Sequence, residues 1–166
     1  MRRVHFSDQP VALQVGRTYE QVRRGYKPRG LWYSVEGGRD GWSDWCEAED
    51  YRVEHLRCPH ALAVSEQRIL LIRTGEELRR FYDRFCCSLE PYPEPWYIDW
   101  QQVAELYAGI EIAPYQWEFR LALNYTWYYT WDCASGCIWD LSVVEAFELL
   151  ELADTCKAFA ADGTEE

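Results

Sequence analysis

The chain reads as one α+β domain over residues 1–161, a mixed or antiparallel twisted sheet (or sheets) with short flanking helices, followed by an acidic disordered tail at 162–166. Three observations predict this. Forty-eight per cent of the 166 residues are hydrophobic and 16% are aromatic, which is far from the composition of a disordered chain. Short strand-like runs recur among short helical segments, and several are closed by glycine or proline. There is no internal repeat and no linker long enough to divide the chain, and at this length folding buries roughly 70% of the unfolded surface.

The elements follow in order. Arg3-Val4-His5-Phe6-Ser7 is a strand. Thr18 with Gln21 three residues on reads as a helix start, and Gly25 stands where a left-handed C-terminal residue belongs. Lys27-Pro28-Arg29-Gly30 turns the chain into a strand, Leu31 to Val35, and the glycines of residues 36–41 make a loop. Trp42 to Tyr51 reads as one or two helical turns, with Trp42, Trp45 and Cys46 on one face.

Ile69-Leu70-Leu71-Ile72, bounded by Arg68 and Arg73, is a buried strand. Thr74 and Glu77 form a capping box for a helix that buries Leu78, Phe81 and Phe85 and runs to about Cys87. The prolines of Glu90 to Pro95 predict a loop. Asp99 caps a second short helix with Val103, Leu106 and Tyr107 inward, ended by Gly109. Ile110 and Ile112 then share one strand face and turn Glu111 to the other. Residues 117–123 and 125–131 alternate as strands, and Ser135-Gly136 marks a turn before Cys137-Ile138-Trp139. Ser142 with Glu145 predicts a final helix whose apolar stripe runs from Val143 to Ala160.

Charge and cysteine content narrow the function. A formal charge of −11 argues against broad nucleic-acid binding, whose affinity comes from cations that displace counterions. The charge is uneven, because the first 30 residues carry Arg2, Arg3, Arg17, Arg23, Arg24, Lys27 and Arg29 against Asp8 and Glu20. A phosphorylated ligand would find a basic face there. Seven cysteines are an odd number and Cys86 adjoins Cys87, so reduced thiols and a cytoplasmic location are expected. No signal peptide or membrane span is expected, and no metal, since Cys58-Pro59-His60 and the Cys133/Cys137 pair match no zinc framework.

Three segments carry chemistry in the order histidine, aromatic pair, carboxylate: His5 in the first strand, Trp32-Tyr33 in Gly30-Leu31-Trp32-Tyr33-Ser34, and Glu111 in Gly109-Ile110-Glu111-Ile112. This order resembles the His-Tyr-Glu pattern of ADP-ribosyltransferases of the diphtheria-toxin and poly(ADP-ribose) polymerase type. The resemblance implies an ADP-ribosyltransferase-like fold and an NAD cleft, with NAD as substrate and ADP-ribose passed to a macromolecular acceptor, in a phage- or toxin-related setting. It would make Glu111 the carboxylate beside the ribose and His5 the donor to the adenosine-side ribose. Trp32 aligns with the family's tyrosine and Tyr33 is the alternative, because neighbours on a strand face opposite ways. Ser34 would line the cleft, and Trp45 in Ser43-Asp44-Trp45-Cys46 would complete the ring stack. Glu118 substitutes for Glu111 in another register.

Arg3 precedes His5 by two residues and shares its strand face, which makes it the expected pyrophosphate contact. Each residue also has a plainer reading: His5 as a satisfied strand histidine, Trp32 and Tyr33 as core, Trp45 as a hydrophobic anchor for the loop after the glycine run, Glu111 and Arg3 as solvated surface. The strings at residues 27–34 and 131–139 also resemble an uncharacterised family of bacteriophage and bacterial genomes, which implies no chemistry. A rival from another class is a non-enzymatic acidic binding protein, a phage-encoded inhibitor that covers a basic surface of a host factor.

Overall fold

The first strand, β1 (Arg2–Ser7), sits inside the sheet, because it pairs antiparallel with β2 (Leu31–Glu36) on one side and with β3 (Cys58–Val64) on the other. The computed structural model describes residues 1–89 and 92–150. Among them β4 (Ile69–Ile72), β7 (Gly109–Ile112), β8 (Ser135–Ile138) and β9 (Val144–Leu149) complete a seven-stranded sheet in the order β4-β7-β8-β2-β1-β3-β9. The β4–β7 pair is parallel and the other neighbours are antiparallel. A separate ribbon pairs β5 (Cys86–Leu89) with β6 (Tyr92–Ile98). The helices are α1 (Trp42–Glu49), α2 (Gly75–Phe85), α3 (Trp100–Leu106) and α4 (Thr126–Tyr129). The molecule is therefore one small α+β domain built on a mixed sheet.

The aromatic residues that dominate the composition are largely structural. Trp100, Trp127, Trp131 and Tyr128 are fully buried with Ile110, Ile112, Ile138 and Leu78. Phe81 on α2 lies 5.9 Å from the Trp100 ring of α3 and 5.5 Å from the Trp127 ring of α4, so the three helices meet one another through tilted rings, each contact adding about 0.5–1.5 kcal/mol beyond area burial. Two indole N–H groups are satisfied by backbone, Trp100 on the Gly25 carbonyl at 3.0 Å and Trp139 on that of Tyr107 at 2.7 Å.

Several expected elements are replaced, each for a local reason. Residues 18–25 form no helix: Thr18 bridges to Asp140 and Gly25 to Ile98. Gln21 is buried there, and its carboxamide donates to the Tyr19 and Arg29 carbonyls and accepts from the Arg29 N–H. It closes a loop instead of a capping box. Gly109 opens β7 instead of ending α3, which stops at Tyr107, and Leu106 is exposed. Tyr92 to Pro95 belong to β6, a ribbon strand in which proline forfeits little; Glu90 and Pro91 lie outside the described residues.

The strands expected at 117–123 and 125–131 are 3₁₀ turns at Trp117–Phe119 and Leu123–Tyr125 followed by α4. Adjacent Trp127 and Tyr128 are both buried, which a strand facing one core does not allow. Ser135-Gly136 is strand, not turn, and the start of the expected final helix is β9, held to the edge of β3. Tertiary pairing overrides its helical periodicity. Residues 151–160 of that helix and the tail at 162–166 lie outside the described residues.

Candidate functional site

A cleft opens where β1 and β2 part. They pair as Arg2↔Glu36, Arg3↔Val35 and Val4↔Ser34. From His5 onward β1 continues only along β3, while Trp32 and Tyr33 continue only along β8. The gap of about 230 Å³ is lined by His5, Phe6, Trp32, Ser34, Trp42 and Trp131, with Tyr33, Lys27, Cys133 and Ser135 also on its wall. Loop and helix are fastened to it by backbone: the Trp42 N–H donates to Ser34 Oγ at 2.7 Å, which holds the start of α1 against β2.

Three side chains give the cleft its chemistry. His5 Nδ1 lies 2.7 Å from the Trp32 carbonyl oxygen, and burial lowers the His5 pKa below its ordinary 6.5 against the opposing effect of that bond. The neutral ring donates from Nδ1 and leaves Nε2 as an acceptor. Trp131, 2% exposed, meets Trp32 edge-on at 5.0 Å, and its indole N–H has no partner. Lys27 is exposed as a residue, but its ammonium lies 5.2 Å from the Trp32 ring centroid. Burial of that ammonium lowers its pKa, and Asp132 partly offsets the change. Burial pushes the Cys133 thiol up to about 12, so it is protonated at neutral pH and is no nucleophile.

The neutral His5 makes stability pH-dependent. Its folded pKa lies below the unfolded 6.5, so the unfolded chain binds the proton first as pH falls. The stabilisation is complete above pH 6.5 and is lost downward through the interval between the two values. Urea midpoints are expected to fall from pH 7 to pH 5 in wild type, and His5→Asn should flatten that part of the profile. Glu66 and Glu77, whose pKa values are lowered from 4.5, contribute in a separate, more acidic window.

The other expected site residues lie elsewhere. Glu111 faces away from Ile110 and Ile112 as alternation requires, yet it is only 3% exposed. Its Oε2 accepts from Arg3 Nε at 2.6 Å and from the Tyr33 hydroxyl at 3.0 Å. Arg3 also pairs with Glu66. Burial alone would lower the Arg3 pKa, but the bonds to Glu111 and Glu66 raise it above the usual arginine value. Tyr33 is kept protonated, since burial raises its pKa well above 10.0.

Arg3 and Glu111 line a second depression of about 280 Å³ with Met1, Val35, Glu66 and Arg73. The structure thus gathers His5, Trp32, Tyr33 and Ser34 at one cleft and puts Glu111 and Arg3 at another, with Tyr33 touching both. Trp45 stacks on Trp42 at 4.9 Å behind the cleft wall. Glu118 is a surface residue paired with Arg79 at 3.3 Å.

Lys27 and Trp131 were not anticipated as site residues. Each begins one of the two strings noted above, at residues 27–34 and 131–139, and Lys27 also belongs to the basic set of the first 30 residues. Among the described residues no cluster of histidine, cysteine or carboxylate is placed to hold a metal, and no helix is long and apolar enough to cross a membrane. In comparisons with known proteins, no family model, no curated protein and no solved structure matches the chain.

Proposed function

We propose that the protein binds a nucleotide of the NAD class, one ring of which lies in the cleft between Trp32, Trp42 and Trp131. The observation that carries this reading is a cleft of about 230 Å³ walled by the Trp32, Trp42 and Trp131 side chains, with His5 and Lys27 also lining it, since aromatic walls favour a flat ring between them. The resemblance to ADP-ribosyltransferases supports NAD as the ligand and an ADP-ribosyltransferase-like arrangement of the domain. Transfer to a macromolecular acceptor is the reaction it implies, through a carboxylate that stabilises positive charge at the ribose. Glu111 is engaged by Arg3 and Tyr33 at the other depression, so binding stands ahead of transfer in this reading.

Calorimetric titration of NAD tests it. Saturable binding is expected, weakened about tenfold in Trp42→Ala, which removes one aromatic wall of the cleft; absence of binding in folded wild type would overturn it. Labelled NAD offered with protein and nucleic-acid acceptors separates binding from transfer, and incorporation lost in folded Glu111→Gln would restore the enzyme.

The alternative of a non-enzymatic acidic binding protein draws on one observation. Leu121 and Leu123 are 81% and 87% exposed, with Trp117 and Tyr129 also outward on the same segment. Such exposed apolar residues suit a protein partner, and the net charge of −11 suits a basic one.

A further inference from the structure

Resting on the nucleotide reading, we infer that the ligand of the β1/β2 cleft carries a phosphate group close to its ring and that Lys27 holds that phosphate. Arg3 was the cation expected for this task, and it is committed to Glu111 and Glu66. Arg23, Arg68 and Arg79 are likewise paired with Asp99, Asp140 and Glu118. Lys27 differs from them. Among the described residues it has no ion-pair partner, although its ammonium lies on the cleft wall over the Trp32 face.

The acidic group that acts on it is Asp132, and the thiols of Cys133 and Cys137 are protonated. A partly desolvated ammonium without a close counter-ion is a vacancy for an anion, and a charge-assisted bond there is about twice as strong as a neutral one. The same ammonium already occupies the electron-rich face of Trp32, so a second cation gains nothing at that ring.

Size points the same way. A volume of about 230 Å³ lies below the ~300–1,000 Å³ of pockets that enclose drug-sized ligands. The cleft therefore takes one base or pyridine ring, with its sugar phosphate at the rim and the rest of a dinucleotide outside. In a chain of net charge −11 an anion is held only by local cations.

The experiment is calorimetry on the full chain with two pairs that differ only in the phosphate: AMP against adenosine, and nicotinamide mononucleotide against its nucleoside. The phosphorylated member of at least one pair is expected to bind tenfold tighter or more, and the gap should narrow as salt rises. Lys27→Gln should reduce it to under threefold, and Lys27→Arg, which retains the charge, should keep most of it. Equal binding within each pair in wild type, or a gap that survives in Lys27→Gln, overturns the Lys27 assignment and leaves nucleotide binding intact. If none of the four compounds binds folded wild type, the nucleotide reading falls together with it. Circular dichroism of both variants confirms that the fold is retained.

Discussion

Glu111→Ala is expected to lower the free energy of unfolding by about 3–5 kcal/mol, the range for breaking a buried ion pair from one side. The substitution strips two donors at once, because Arg3 Nε and the Tyr33 hydroxyl share one carboxylate oxygen. Tyr33 is buried and its hydroxyl would lose the acceptor for its proton while Arg3 stays beside it, a loss of about 1–3 kcal/mol by itself. Arg3 keeps Glu66 and some contact with water, which holds the total near the lower end. Glu111→Gln preserves an acceptor for Tyr33 and removes only the charge, so about 1–3 kcal/mol is expected.

Urea denaturation of the two variants measures both figures. An alanine variant within 1 kcal/mol of wild type would mean that the carboxylate is not a structural tie. The result bears on function directly: a carboxylate that holds three strands together is poorly free to follow charge developing on a substrate. Loss of transfer activity in an unfolded variant would say nothing about catalysis.

That tie shows where a single sequence stops being informative. Strand alternation correctly turns Glu111 away from the isoleucines, and local grammar correctly gives the Thr74–Glu77 capping box and the Asp99 cap. Each of those depends on residues no more than three apart. Arg3 and Glu111 are 108 residues apart and Tyr33 and Glu111 are 78 apart, and no local pattern carries contacts of that range. The same limit explains Gln21, whose Thr18 spacing mimics a cap while its carboxamide is spent on Arg29.

It also explains the cleft. Its existence depends on β1 keeping β3 but losing β2 after Val4, while residues 31–33 of β2 keep β8 and have no partner on β1, a choice made by the whole sheet. His5, Trp32 and Ser34 were legible because they sit on the two strands that part. Lys27 comes from a loop and Trp131 lies just beyond a helix that the aromatic alternation disguised as strand.

Gly136→Ala is expected to cost about 3 kcal/mol or more, because the methyl group has nowhere to go. Gly136 lies between Tyr33 on one neighbouring strand and Glu111 on the other, and Tyr33 crosses over it to reach the carboxylate. A Cβ at this position would overlap the Tyr33 ring and hydroxyl and come within 2.8 Å of the Ile110 carbonyl oxygen. The ring alone is free to swing aside, but the backbone oxygen belongs to the β7–β8 pairing and moves only with the sheet. Overpacking of a rigid interior costs about 1–3 kcal/mol, occasionally more, and displacement of Tyr33 adds the loss of its bond to Glu111. Equilibrium unfolding of Gly136→Ala in wild-type and Tyr33→Ala backgrounds tests the argument as a double-mutant cycle. Removing the ring should relieve the cost of the methyl group by 1 kcal/mol or more, within the usual range for residues in contact. Additive effects would show that Gly136 is required for the backbone approach to Ile110 alone, and that the path of Tyr33 to Glu111 does not depend on it.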